Sequence, residues 1–226
     1  MIPFHIPTPQ GCNIQTFYGS ATAASSTESR NWRAWNKPVG VSHIYMMLIG
    51  GGGDGDATNG GGSGAVTVWY GAAQHVPNVL QIYASAPSGG ASATEVAYLS
   101  STAGFVALLT ANSSTGIAGA TDMSANYFTA SGFFQSTTGE AGPAGNNSPS
   151  ATTFLSAGAG GSTAGTITAN YGYTANLTGA SGSGYFQLQP IIVGVGGAGP
   201  SNTAVGCGSG ISGTAGGQGM VLIASW

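Results

Sequence analysis

The glycine run after the first long apolar segment has the spacing of a nucleotide-binding turn. Gly50, Gly52 and Gly55 in LIGGGGDG fit the pattern G-x-G-x-x-G, in which a turn after a strand brings backbone amides to a pyrophosphate. That chemistry also needs a helix directly after the turn and an acidic residue about 20 positions on. The next periodic segment is the strand-like AVTVWY, and residues 70–78 contain no carboxylate. We therefore expect a sheet connection here and no bound cofactor.

Three oxygen-bearing side chains in the same glycine run are candidate ligands for a hard cation. Asp54, Asp56 and Asn59 lie within DGDATNG, and calcium prefers carboxylate and amide oxygens. The spacing differs from that of an EF-hand loop, and no glutamate follows where such a loop would bind calcium through both carboxylate oxygens. We favour a solvated loop tip, with a cation site as the alternative.

The acidic and histidine residues are too few and too scattered to predict catalysis. A glycan-cleaving enzyme needs two carboxyl groups in one groove. The acids of the chain are Glu28, Asp54, Asp56, Glu95, Asp122 and Glu140. His5, His43 and His75 stand apart in the sequence, and no G-x-S-x-G elbow is present for nucleophilic catalysis. We therefore expect that the protein is not an enzyme.

The two cysteines predict neither a zinc site nor a disulfide framework. Cys12 and Cys207 lie far apart in the sequence, and no C-x-x-C pair occurs. Two buried free thiols are the favoured interpretation, since unpaired cysteine behaves as a small apolar residue. A bridge between the two is the alternative.

Composition limits the partners that the protein can have. Charged residues make up 4% of the 226 positions, and the formal net charge is −3. Arg30, Arg33 and Lys37 are the fixed cations, too few to neutralise a run of phosphates. There is no apolar run of about 18 residues, and the first residues lack the basic region and apolar core of a signal peptide. We expect no nucleic-acid binding, no membrane insertion and synthesis in a host cytoplasm.

Apolar patterns predict β-strands between the glycine-rich segments. Residues 43–50, HIYMMLIG, are apolar on both alternating faces, which is typical of a strand buried on two sides. VLQIYAS alternates with a period of two, as a half-buried strand does. Further strands are predicted in AVTVWY, EVAYL, FVALLTA, FQLQPIIVG and MVLIASW. Only ATDMSANYFTAS is a candidate for a short helix, so we expect an all-β, glycine-rich, jelly-roll-like β-sandwich.

The chain divides into an arm and one domain. Residues 1–29 contain a single predicted strand at 14–18 and are expected to pack on a neighbouring protein or on the domain itself. Residues 30–226 form the domain. Within it, residues 116–184 are rich in Gly, Ser, Thr and Ala with scattered aromatics, and they are predicted to be a large loop insertion.

The aromatic residues of this insertion are candidate receptor contacts. Aromatic rings on loops offer rigid amphipathic contact area, and Ser, Asn and Gly supply adaptable hydrogen bonds. Such a surface suits an uncharged partner, either a sugar polymer or the face of a surface protein. The candidate contact residues are Tyr127, Phe128, Phe133, Phe134, Tyr171 and Tyr173. The alternative is that these rings form a small core within the insertion.

Several pieces of the chain follow one another in a recognisable order. They are the aromatic-Pro-Gly opening (Trp35, Lys37, Pro38, Gly40), the apolar strand entering the glycine run (44–53), the strand after GSGA (62–70), the Pro-led strand (77–84) and the terminal GGQGMVLIASW. This order resembles the glycine-rich domain of bacteriophage tail-fibre and other virion proteins. The resemblance implies a β-sandwich whose glycine loops collect at one end, in an oligomeric fibre or spike that meets the host surface. The aromatic insertion and the lack of a long N-terminal shaft depart from that pattern.

Two functions follow as expectations. The first is a host-recognition module of a virion fibre or spike, with the insertion and the glycine loops as contact surface. The alternative is a capsid decoration or tail-assembly protein without a receptor, in which residues 1–29 bind another virion protein by adding a strand or wrapping its surface. In either case we expect a homo-oligomer, with a trimer as the form common among fibres, because edge strands with few charges need covering.

Overall fold

Strands dominate the computed structural model, which describes residues 13–20, 30–56, 59–87, 92–123, 127–139, 141–142, 185–188, 191–194, 205–206, 208 and 215–226. In chain order the strands are β1 (Asn13–Tyr18), β2 (Arg33–Asn36), β3 (His43–Ile49), β4 (Val66–Ala72), β5 (Val79–Tyr83), β6 (Thr94–Ser100), β7 (Gly104–Ala111), β8 (Gly132–Thr137), β9 (Tyr185–Leu188), β10 (Ile191–Gly194) and β11 (Met220–Ser225). Short 3₁₀ helices cover Ala73–His75 and Tyr127–Ala130, the second within the segment predicted as a short helix. Neither has the length or apolar character needed to cross a membrane. The predicted all-β fold is confirmed.

The first sheet has five antiparallel strands in the order β1-β11-β3-β4-β8. Its centre is buried on both faces. Ile44, Met46 and Leu48 of β3 face the second sheet, whereas Tyr45 and Met47 face outward and are also buried. The prediction of a strand buried on two sides is therefore confirmed.

The second sheet contains four antiparallel strands in the order β2-β5-β6-β7. Its apolar side chains meet those of the first sheet in one core, as in a β-sandwich. Trp35 of β2, Leu80 and Ile82 of β5 and Val96 of β6 are essentially inaccessible to solvent. A separate hairpin pairs β9 with β10 and overlaps the segment FQLQPIIVG that was predicted to have strand character.

Two segments predicted to lie outside the core strands take part in the first sheet. The arm was expected on a neighbour or on its own domain, and its described strand β1 pairs with β11 along its whole length as an edge of the first sheet. Strand β8 pairs with β4, so assigning residues 132–137 to a loop insertion is wrong. The sequence GFFQST was misassigned because its two adjacent phenylalanines face opposite sides of the sheet, which hides the period of two.

The described glycine-rich loops collect at one end of the sandwich. They join β3 to β4, follow β7 and β8, and precede β11. The strand ends that they connect all lie at the same end of the sandwich. The loops bond to one another through their backbones, as from Gly53 N to Gly62 O (2.8 Å) and from Gly62 N to Gly116 O (2.7 Å). The opposite end of the sandwich carries the start of β3, the end of β4 and the end of β11.

Candidate functional site

Phe128, one of the six predicted receptor contacts, belongs to the core. Its ring is fully buried and packs edge-on against Trp69, with the ring centroids 4.9 Å apart. Trp69 Nε1 donates a hydrogen bond of 2.9 Å to the main-chain oxygen of Phe128. The 3₁₀ helix Tyr127–Ala130 thus closes the core over β4, and the prediction that Phe128 contacts a receptor is wrong.

The two phenylalanines of β8 have different surroundings. Phe134 faces inward and packs against the core between the sheets, which removes it from the candidate surface. Phe133 is 37% exposed on the outer face. Tyr127 begins a 3₁₀ helix, but its side chain lies outside the described part of the structure, as do Tyr171, Tyr173, Cys12 and Cys207. Of the predicted contacts, Phe133 is the one that the described residues place at the surface.

Phe133 ends a row of aromatic residues across the first sheet. The strand register pairs Tyr45 with Tyr70 and Tyr70 with Phe133, so three neighbouring strands carry rings side by side on the outer face. Tyr45 is buried, and its burial raises the pKa of its hydroxyl. Tyr70 is partly exposed and Phe133 more so. Solvent exposure therefore increases along the row from Tyr45 to Phe133 in the edge strand β8.

Two residues further along β3, on the same face, two more rings join Tyr70. His43 begins β3 and Trp226 follows β11, and the outer face holds both next to Tyr70. The centroid of His43 lies 5.7 Å from that of Tyr70 and 6.1 Å from that of Trp226, and the centroids of Tyr70 and Trp226 are 5.8 Å apart. The ring planes deviate from parallel by 11–20°. We call His43, Tyr70 and Trp226 the aromatic platform.

Backbone hydrogen bonds fix the position of the aromatic platform. The amides of Ser42 and His43 both donate to the main-chain oxygen of Trp226, over 2.7 and 2.9 Å, and Trp226 N donates to His43 O over 3.1 Å. The Ser42 hydroxyl lies 3.0 Å from His43 Nδ1 and 3.2 Å from Trp226 O. Because His43 and Trp226 are hydrogen-bonded to each other through their backbones, two of the three rings are attached to a fixed backbone. Sequence reasoning had placed His43 only at a strand start.

The glycine run that resembles a nucleotide-binding turn uses its amides inside the protein. Gly50 N donates to Ala65 O, Gly52 N to Gly217 O and Gly53 N to Gly62 O, over 2.8–2.9 Å. Gly51 N donates to the Ser113 hydroxyl over 2.9 Å. The run then leads to β4, as predicted for a sheet connection. A phosphate would have to break this backbone network to reach these amides.

The carboxylates of the same run bind the protein's own backbone. Asp54 Oδ1 accepts a hydrogen bond of 3.1 Å from Gly216 N, which ties the run to the segment before β11. Asp56 accepts hydrogen bonds from the backbone and side-chain amides of Asn59 over 2.7–2.9 Å. Within the described residues, no three His, Cys, Asp or Glu side chains are grouped closely enough to hold a metal ion. The two aspartates thus stabilise the loop backbone through hydrogen bonds in this structure.

A second aromatic cluster covers the outer face of the second sheet. Arg30 forms an ion pair of 2.8 Å with Glu95, and its guanidinium lies over the ring of Tyr83, 4.9 Å from the centroid. Trp32 stacks on Phe105 with centroids 4.4 Å apart and planes 8° from parallel. Alternating arginine and tryptophan in RNWRAW is the sequence signal for this cluster. The faces of Trp32 and Phe105 are turned to each other.

The comparisons with known proteins identify no related family or curated protein: no protein-family model matches the chain, and no curated protein matches it significantly. The exposed rings on the outer face of the first sheet are therefore the feature with which we interpret its function.

Proposed function

We propose that this chain is a non-enzymatic recognition module of a bacteriophage particle, carried on a fibre or spike that meets the host surface. The observation that supports recognition most strongly is the aromatic platform, with Phe133 beside it, on a rigid sheet. The order of apolar and glycine-rich segments, which resembles phage tail-fibre proteins, supports placement in a virion. Folded in this way, the domain is a scaffold whose outer face binds the partner.

The state of the charged residues supports an uncharged partner. Lys37 Nζ donates to the main-chain oxygens of Ala73 and Val76, over 3.0 and 2.7 Å. Arg33 donates to the main-chain oxygen of Tyr18, and Arg30 is paired with Glu95. The three fixed cations therefore bind groups within the protein, which argues against a phosphate backbone as the partner.

The carboxylates favour binding over catalysis. Asp54 accepts a hydrogen bond from the backbone amide of Gly216 and Asp56 from that of Asn59, and Glu95 is paired with Arg30. A general acid in glycoside hydrolysis needs a carboxyl group that is poised beside the substrate, together with a second carboxylate. Carboxylates committed to backbone amides and an arginine are poorly placed for that role, which is why we propose a module without turnover.

The open sheet edges favour a second candidate, a capsid decoration or tail-assembly protein. Strands β1 and β8 end the first sheet, and β2 and β7 end the second, within the residues that the structure describes. Edge strands with few charges are surfaces on which another chain can add a strand. The same edges would serve a homo-oligomer, including the trimer proposed for a fibre.

A binding experiment distinguishes the two candidates. The purified, fluorescently labelled chain is mixed with cells of the bacterial host and, separately, with purified capsid and tail proteins of the same phage. Saturable binding to cells that competes with infection is the expected result. Stoichiometric binding to capsid or tail protein without binding to cells would instead establish the assembly role. Sustained release of reducing sugar from host polysaccharide would contradict the non-enzymatic assignment.

A further inference from the structure

We infer that the aromatic platform is a binding subsite for a neutral glycan, at the end of the sandwich opposite to the glycine loops. The inference deepens the proposed function, because it names the site and the chemical class of the host ligand. It also departs from the sequence-based expectation, which placed the contact surface on the insertion and the glycine loops.

The three rings are near-parallel and offset from one another, and they do not form a column. In a column of parallel rings in van der Waals contact, the outer two would be about 7 Å apart, since each contact takes about 3.5 Å. All three centroid distances lie between 5.7 and 6.1 Å, so the rings form a nearly equilateral triangle with near-parallel planes. Near-parallel planes give the ring faces a common orientation, and a flat ligand would contact the parts of them that are exposed.

The exposure of the rings and the absence of charge on them fit a sugar. His43, Tyr70 and Trp226 are each partly exposed, whereas Tyr45 next to them in the register is buried. An aromatic face carries negative charge density and attracts the weakly positive C–H groups on the flat side of a pyranose. The side chains of the rings and of their strand partners Tyr45 and Phe133 carry no fixed charge. A neutral ligand therefore loses no strongly hydrated ion pair on binding.

Polar atoms at the platform match the hydroxyl groups of a sugar. The three rings bring His43 Nε2, Tyr70 Oη and Trp226 Nε1 to the platform, and His43 Nδ1 lies 3.0 Å from the Ser42 hydroxyl. The indole is a donor, and the phenol and imidazole can donate or accept, so together they suit hydroxyls that do both. Ligand sites commonly combine apolar surface with a few convergent polar groups of this kind.

The other aromatic cluster lacks these properties. Trp32 and Phe105 are stacked on each other at 4.4 Å, so each covers a face of its partner. The guanidinium of Arg30 lies above Tyr83 and is neutralised by Glu95. The aromatic platform is thus the better surface for a flat, uncharged ligand.

The test measures binding to defined polysaccharides. Native gels are cast with the neutral polymers glucan, mannan and galactan, and with the anionic polymer polygalacturonate as a counter-probe. Migration is compared for the unmodified chain, Tyr70→Ala, Trp226→Ala and the control Tyr18→Ala. Tyr18 is a matched control because it is 45% exposed on the same outer face but lies at the glycine-loop end. Thermal unfolding of every variant verifies that it is folded.

We expect at least one neutral polymer to retard the unmodified chain. Each platform variant should weaken that binding by about tenfold or more, as the loss of a central aromatic contact does, while Tyr18→Ala binds as the unmodified chain does. Retardation should persist in high salt, since no ion pair is involved. Failure of every neutral polymer to bind, or retention of full binding by folded Tyr70→Ala and Trp226→Ala, would overturn the inference. Retardation by polygalacturonate alone would overturn it too.

The host-binding assay separates this inference from the proposed function. If the chain and Tyr70→Ala bind host cells equally well, the recognition role stands and the platform is not its site. If the platform binds a neutral glycan but the chain binds no host cell, the glycan subsite stands and the host-recognition role fails. If Tyr70→Ala instead dissociates an oligomer of the chain and no glycan binds, the platform is an interface between copies and the inference is wrong.

Discussion

The α-carbon of Gly64 lies against the main-chain carbonyl of Gly50, so closely that a methyl group at Gly64 would place its carbon 2.0 Å from that oxygen. The two glycines stand at opposite ends of the run that joins β3 to β4. Gly50 N donates to Ala65 O and Gly64 N to Gly206 O, so backbones bond directly to backbones here. The glycine end of the sandwich is therefore packed mainly with main chain, and glycine allows that close approach.

Replacing Gly64 with alanine should destabilise the protein strongly. The added methyl group meets a carbonyl of the backbone, which cannot turn away as a flexible side chain would. We expect the free energy of unfolding to fall by about 2 kcal/mol or more, as in other overpacked sites. The control is Gly116→Ala, where a methyl group would meet nothing within 4 Å, and the expected change is within about 0.5 kcal/mol. Urea denaturation measures both, and equal values for the two variants would contradict main-chain packing as the reason for glycine.

The strands of the sandwich were predictable where the apolar pattern was continuous. The pattern in β3 correctly indicated burial on both faces because every residue after His43 in HIYMMLI is aliphatic, sulfur-containing or aromatic. Strand β8 was missed because Phe133 and Phe134 point to opposite sides, in a stretch otherwise composed of Gly, Ser, Thr and Gln. Pairing with β4, a contact distant in sequence, provides the signal that a local pattern lacks.

Truncating Phe128 should cost far more stability than truncating Phe133. Phe128 fills the core against Trp69, so Phe128→Ala is expected to lower the free energy of unfolding by about 3–5 kcal/mol. Phe133 is partly exposed on the outer face, and Phe133→Ala should cost about 1 kcal/mol or less. Chemical denaturation of both variants checks the difference. A larger loss for Phe133→Ala would mean that its ring is part of a core.

The candidate site was only partly predictable, since its members come from separate parts of the chain. Phe133 was identified from its type and its place in an aromatic-rich segment. His43, Tyr70 and Trp226 are brought together by the pairing of β3 with both β4 and β11, which joins residues more than 150 positions apart. A lone histidine at a strand start carries no sequence signal for such a neighbour.

The ion pair between Arg30 and Glu95 should couple the two residues energetically. Both side chains are mostly buried, and the guanidinium also covers Tyr83. Loss of either partner therefore leaves the charge of the other unpaired and poorly solvated. We expect Arg30→Met and Glu95→Gln each to lower stability by about 1–3 kcal/mol. The double variant should lose less than the sum of the two, by about 1 kcal/mol, in a cycle of denaturation measurements. Strict additivity would show that the pair contributes nothing beyond its separate packing.

Burial of Tyr45 should make the fold sensitive to alkaline pH. Its desolvated hydroxyl has a pKa above the ordinary value of 10.0, so the folded state holds the proton at pH values where the unfolded chain releases it. Above about pH 10 the unfolded chain therefore binds fewer protons, and the free energy of unfolding falls as pH rises, by at most about 1.4 kcal/mol per pH unit from this group. Tyr45→Phe should show a shallower decline between about pH 9 and about pH 11. Parallel curves for Tyr45→Phe and the unmodified protein would exclude Tyr45 as the cause.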